Sequence, residues 1–193
     1  MRIGFALPQI GPIGGPDAIT RVARRAEELG FDSLWVLDRL LYPVNPRAPY
    51  PVGDGTLPIK YKRVLDAIET LTFAAARTER IALGTSVLNI PWYNPVLLAR
   101  RLATLDVLSG GRLRVGLGIG WSPDEYEAAG ASWKTRGKGA DERVSALKAI
   151  WTRVRRHRLQ GSEVLHRFET NSEAPSANLH GRIHTRGDET GRT

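Results

Sequence analysis

Residues 112–121 read RLRVGLGIGW, an apolar run with glycine at every second position: Gly116, Gly118 and Gly120. Glycine weakens a strand interior, because it has no side chain to pack and loses much backbone freedom on folding. Three in alternation mark either a bend or a close approach to bare main chain. The spacing falls one residue short of the dinucleotide fingerprint G-x-G-x-x-G, and no short turn into a helix follows. We read the stretch as a strand end where main chain lies against a flat aromatic ligand. Tight packing inside a barrel is the competing reading.

Working outward, segments 3–7, 33–37 and 81–88 resemble 113–119 in being almost continuously apolar. That is the pattern of parallel strands covered on both faces. Each is followed by helical periodicity. A first helix is expected from Pro16, a residue suited to the first helical position, with Ile19, Val22, Ala23, Ala26 and Leu29 on one face and Gly30 past its end. A second is expected over 63–77. A third begins at Asn94-Pro95 and stops at Gly110-Gly111, and a fourth covers 138–151. The chain therefore alternates strand and helix in units of about thirty residues, an α/β protein. Segments 39–62 and 121–137 exceed the roughly two to six residues usual for a βα loop. Both follow the C-terminal end of a strand, where α/β folds bind ligands.

Composition narrows the partners. The 193 residues contain no cysteine, which excludes disulfides and cysteine-bound metal and fits a reducing, cytosolic location. No apolar run approaches the roughly 18 residues of a membrane helix. The formal charge of +8 comes largely from arginines scattered beside acidic residues, as in Arg24-Arg25-Ala26-Glu27-Glu28. With no dense basic run before residue 152, the expectation is a solvated surface and a small-molecule partner, not nucleic acid or membrane. After Trp151 the pattern changes. All four histidines and eight arginines lie there, with no lysine and no apolar period after about Leu165. We expect 152–193 to be a disordered tail or the product of a shifted reading frame. The histidine spacings match no standard metal site, so no metal is expected.

Polar residues at strand ends are the candidate site. Thr85 and Ser86 place hydroxyls in an apolar strand, and a buried hydroxyl needs a partner. Either they bond a neighbouring carbonyl, or Ser86 and Asn89 meet a polar ligand. Asp38 ends the second strand on the same rim. It could contact a heterocycle or position a proton, or it could cap a helix or pair with Arg39.

Residues 106–151, DVLSGGRLRVGLGIGWSPDEYEAAGASWKTRGKGADERVSALKAIW, resemble the signature of the luciferase-like monooxygenases, most closely the coenzyme F420-dependent branch. The glycine strand, Trp121, the Glu125-Tyr126 pair, Gly130, Arg136, Glu142 and Trp151 carry the likeness. ELGFDSLWVLDR and IALGTSVLNIPWYNPVLLARRLATLD agree with it, so it covers residues 1 to about 151. The resemblance implies a TIM-type (β/α)₈ barrel with a deazaflavin, F420, or alternatively FMN at the C-terminal rim. It implies hydride transfer to or from an organic substrate. Asp38 would be the catalytic acid, and Ser86-Val87 a non-proline cis peptide behind the ring. Gly118 and Gly120 would lie against the cofactor, and Arg39 and Trp121 near the substrate.

Two departures stand out. Relatives often carry histidine after the strand-two acid, where this chain has Arg39, which would bind an anion or fix charge instead of moving protons. And a full barrel takes about 250 residues, whereas this sequence shows four βα units, half a barrel over 1–151. An oxidoreductase is the first expectation, with activity impaired by truncation. A non-catalytic half barrel that pairs with itself as a homodimer is the alternative.

Overall fold

The structure is a computed structural model and describes residues 1–160, with side-chain surroundings through Thr152. Its strands in chain order are β1 (Gly4–Ala6), β2 (Ser33–Val36), β3 (Ala82–Thr85), β4 (Leu88–Asn89), β5 (Leu113–Arg114) and β6 (Leu117–Gly118). All pairings between them are parallel, in the order β1-β2-β3-β5, with β4 beside β6 as the continuation of the last pair. Each new strand joins the same edge. A sheet built that way curls toward a barrel, whereas a doubly wound sheet reverses and adds to its other edge. The α/β, half-barrel expectation therefore holds for the described residues.

Helices α1 (Pro16–Glu28), α2 (Ala67–Ala75), α3 (Pro95–Leu108), α4 (Pro123–Ala128) and α5 (Arg136–Gln160) complete the units. Pro16 opens α1 as expected. Asn94 caps α3 by accepting from the amides of Val96 and Leu97 at 3.0 and 3.2 Å. The second helix is shorter than 63–77. Asp66 accepts from the amides of Ile68 and Glu69, fixing the start at Ala67, while Ile59–Lys62 forms a separate 3₁₀ turn. The loop at 121–137 contains α4, capped by the Ser122 hydroxyl. Helix α5 runs through Gln160, so 152–160 continue a helix. The rest of the expected tail lies outside the described residues.

The convex face of the sheet carries the core. Leu34, Leu83, Leu71, Leu98, Leu102 and Leu105 are all fully buried between strands and helices. The concave face is filled differently. A Cβ on Gly4 or on Gly84 would stand closer than 3 Å to the Trp35 indole, so one ring lies across the neighbouring strands on both sides. Strand β1 departs from the expectation of two covered faces: Ile3 and Phe5 are 47% and 44% exposed. Among the described residues β1 has one strand neighbour, so an edge and much of its surface stay open.

At the strands' N-terminal end, Arg112 clasps the turn after α2. Its guanidinium donates to the carbonyls of Ala75, Thr78, Ile81 and Ser109 and to the Thr78 hydroxyl. Arg112→Ala leaves four carbonyls short of a donor. It is expected to lower unfolding free energy by roughly 2–3 kcal/mol, read by denaturant titration.

Candidate functional site

The site begins with a mismatch between adjacent strands. Leu83 pairs with Leu113, but Leu88 pairs with Leu117, so five steps of one strand run beside four of the other. The extra residue makes a β-bulge at Ser86-Val87, and the peptide between them is cis, as the resemblance implied. Ser86 and Val87 are both exposed on the rim, between a buried Thr85 and a buried Leu88.

The glycines opposite exist for this bulge. The Thr85 hydroxyl donates to the Gly116 carbonyl at 2.8 Å and accepts from the Gly116 amide at 2.9 Å. A Cβ on Gly116 would overlap the Thr85 carbonyl oxygen, and one on Gly118 would overlap the Val87 side chain, each closer than 3 Å. This corrects the reading of Gly118 as bare backbone against a cofactor: the space above it holds Val87. The reason is steric, since a bulge pushes its strand into the neighbour and only glycine leaves room. Gly120 differs. It has φ +72° and lines the rim cavity beside Asn89 and Trp121. Thr85 takes the structural role, and Ser86 is left facing the cavity.

That cavity, of about 230 Å³, is bounded by Asp38, Arg39, Ser86, Val87, Gly120 and Trp121, with walls from Tyr50, Tyr61 and Glu125. Every site residue expected from sequence except Gly118 lines it. Asp38 is 8% exposed. Its carboxylate accepts from the Asn89 amide at 2.9 Å and the Tyr93 hydroxyl at 3.0 Å, while its carbonyl accepts from the Asn89 side chain at 3.1 Å. Desolvation dominates these bonds and pushes its pKa up to about 6. The Tyr93 hydroxyl, also desolvated and facing that carboxylate, is raised as well.

Arg39 does not pair with Asp38. It faces Glu125 at 3.3 Å, with side chains 6% and 2% exposed. Its guanidinium lies 5.4 Å from the Tyr61 ring centre and 5.3 Å from that of Trp121. Glu125 also accepts from the amides of Leu40 and Leu41 at 2.9 and 3.3 Å; burial holds its pKa above the ordinary value against these and Arg39. The two long loops are thus tied together inside. They are tied outside by Arg47, whose guanidinium bonds Asp124 at 3.0 Å, Glu127 and the Pro123 carbonyl. Below the rim, Gln9 donates to the carbonyls of Leu37 and Leu65 at 3.0 and 2.8 Å and accepts from the Leu37 amide, fixing the end of β2.

Sequence reasoning missed Tyr93, Gln9 and the Tyr50–Tyr61 wall. Each sits in a loop or at a helix start, where no periodicity flags it. Glu125 was noticed only as part of a signature, not as the partner of Arg39. Among the described residues, no group of three or more His, Cys, Asp or Glu is placed to hold a metal, and no helix is long and apolar enough to cross a membrane.

With this geometry in view, comparison with known proteins is direct. The sequence matches the luciferase-like monooxygenase family over residues 3–185, well past the 151 at which the resemblance was expected to end. The chain belongs to that family. It is 40% identical over 132 residues to an uncharacterized protein of Mycobacterium tuberculosis (strain ATCC 25618 / H37Rv), covering 67% of this chain and 47% of that one. It is 34% identical over 142 residues to the F420-dependent glucose-6-phosphate dehydrogenase of Amycolatopsis mediterranei, covering 72% and 38%. Among solved structures it resembles the monooxygenase RslO1 from Streptomyces bottropensis (TM-score 0.61, 29% identity, 78% of this chain and 43% of that one). It likewise resembles an F420-dependent secondary alcohol dehydrogenase held as an F420–acetone adduct (TM-score 0.60, 25% identity, 78% and 42%). The chain spans less than half the length of each of these relatives.

Removing one member of the buried Arg39–Glu125 pair strands the other charge. Glu125→Ala is expected to cost roughly 3–5 kcal/mol of stability, and the double change Arg39→Met with Glu125→Leu distinctly less, as measured by denaturant unfolding of each purified variant.

Proposed function

We propose that this chain carries the reaction rim of an F420-dependent oxidoreductase that moves a hydride between the deazaflavin and an alcohol or carbonyl substrate. The observation that carries the reading is a buried carboxyl group, Asp38, with high proton affinity, on the same cavity as the exposed Ser86-Val87 bulge. Support comes from the likeness to an F420-dependent sugar-phosphate dehydrogenase and an F420-dependent alcohol dehydrogenase.

The residues present fit a flat ring. Val87 offers an apolar surface 37% exposed, Ser86 a free hydroxyl beside it, and Gly120 a stretch of rim without a side chain. Those three would hold the ring edge and face. Hydride exchange at C5 is the chemistry a deazaflavin supplies when bound, and the protein's part is placement and field. FMN in the same place, in a monooxygenase, is the alternative; the likeness to the monooxygenase RslO1 supports it.

Asp38 handles the proton. In alcohol oxidation its carboxylate takes the hydroxyl proton as the hydride leaves carbon. In carbonyl reduction its protonated form returns a proton to the oxygen as the hydride arrives. The Asn89 amide and Tyr93 hydroxyl hold the carboxyl group in one orientation through both forms. Burial raises its pKa into the range where both forms are populated near neutrality.

The sign of the pH dependence follows. Alcohol oxidation needs the carboxylate and should rise as pH rises through about 6; carbonyl reduction needs the acid and should fall over the same range. Asp38→Asn should remove both inflections. A carboxyl group whose folded pKa lies above its ordinary 3.8 costs stability once ionised. Asp38→Asn should therefore unfold at higher denaturant than wild type at pH 7 and lose that advantage toward pH 4. Fluorescence titration with F420 and with FMN tests the cofactor. Tighter binding of F420 supports the reading, tighter binding of FMN supports the alternative, and binding of neither by the full chain overturns both.

A further inference from the structure

Strands β1 and β2 stop pairing through their main chains just before Asp38. The Leu7 amide donates to the Trp35 carbonyl at 2.8 Å. In a continuing parallel ladder the Leu37 amide would next donate to the Leu7 carbonyl. That carbonyl is taken instead by the Gln9 amide at 2.9 Å, across Pro8, which has no N–H to give. The Gln9 side chain stands in for the lost rung. Its Oε1 accepts from the Leu37 amide, and its Nε2 donates to the Leu37 carbonyl at 3.0 Å and the Leu65 carbonyl at 2.8 Å. One N–H facing the oxygen and two carbonyls facing the nitrogen leave a single orientation for that side-chain amide.

The other side of β2 is held in a similar way. Asn89 donates from its side chain to the Asp38 carbonyl at 3.1 Å and from its main chain to the Asp38 carboxylate at 2.9 Å. Leu37 and Asp38 are thus gripped by two side-chain amides, one from each flanking segment. Gln9 also ties in the end of the long loop. Its own carbonyl accepts from the Leu65 amide at 3.0 Å, just ahead of Asp66 and α2. Gln9 is 1% exposed and is not part of the rim cavity, so it reaches Asp38 only through Leu37.

We propose that Gln9 is the positioning residue for the proton-transfer group: its side-chain amide fixes the Leu37–Asp38 main chain from the β1 side, which keeps the Asp38 carboxyl group from water and in one orientation. This rests on the oxidoreductase reading only for the use to which the proton is put. Charge does not supply the effect. The charged and titratable groups facing Asp38 are Tyr93 ahead of α3, Arg101 on α3, Asp66 ahead of α2 and Glu125 on α4. The β1 side presents a neutral amide, so replacing Gln9 by a neutral residue alters no charge. Burial outweighs the bonds from Asn89 and Tyr93 at Asp38, and slack that admits water therefore lowers its pKa toward 3.8.

Carbon-13 NMR of the full chain, labelled at its aspartate carboxyl carbons and free of cofactor, reads the Asp38 titration directly; Asp38→Asn identifies the resonance. Gln9→Met is close in length and has no donor. It should bring the midpoint down from about 6 by about one pH unit. Arg112→Ala, which loosens the opposite end of the strands, should leave the midpoint in place. A midpoint unmoved in Gln9→Met, or one that falls as far in Arg112→Ala, overturns the proposal. Hydrogen exchange in the wild type needs no variant to fold: the Leu37 amide should be protected nearly as well as that of the buried Leu83, and exchange at the rate of an open loop amide also overturns it. A lowered midpoint in Gln9→Met, with neither F420 nor FMN bound by the wild type, removes the oxidoreductase reading and leaves the positioning role standing. Cofactor binding with an unmoved midpoint does the reverse.

Discussion

The two-way hydrogen bond between the Thr85 hydroxyl and the main chain of Gly116 is the contact on which the rim is built. It holds two parallel strands together at the point where one carries an extra residue. Past that point the register has shifted, and Asn89 arrives with its amide aimed at Asp38. Without the shift, the carboxylate would lose its main-chain donor, and Ser86 and Val87 would point along the regular alternation of the strand. The glycines opposite are the condition for this arrangement. A methyl group at position 116 or 118 would collide with the bulge, so the strand that packs least is the one that lets its neighbour bend.

Electrostatics on the rim follow from the same crowding. Asp38 and Glu125 are both kept from water, and burial raises the proton affinity of both. They differ in what opposes that rise. Glu125 faces a guanidinium and two amides and acts as the joint between two loops. Asp38 faces one amide and one phenol and is left able to titrate near neutrality. Two carboxyl groups on one cavity wall thus take two roles, as groups with similar intrinsic chemistry do when their surroundings separate them.

The rim lies at the C-terminal ends of the parallel strands, the end at which enzymes of barrel architecture carry their chemistry. The chain spans less than half of each of the Mycobacterium and Amycolatopsis relatives, and among the described residues the outer strand has one strand neighbour and leaves Ile3 and Phe5 open. Among the described residues, the buried side-chain nitrogens and oxygens all have hydrogen-bond partners apart from Arg39 Nε and Trp92 Nε1.

Order of strands and helices was legible in the sequence because it depends on local periodicity: apolar runs, a proline at Pro16, an Asn-Pro cap at residues 94–95 and glycine breaks each act over a few residues. Asp38 and Ser86 could also be named from their place at strand ends, and Val87 only from the family resemblance. What glycine at 116 and 118 makes room for could not, since that depends on which atoms of another strand come near. The partner of Arg39 lies 86 positions away at Glu125, and the donor that orients Asp38 lies 55 positions away at Tyr93. Distances of that kind are set by strand register and loop packing, to which the chain's local chemistry is indifferent. Sequence alone determined the alternating architecture and the chemical types on the rim. Only tertiary structure decided which charges meet, which carboxyl group stays free to titrate and which donor is left without a partner, because burial and pairing are properties of the packed whole.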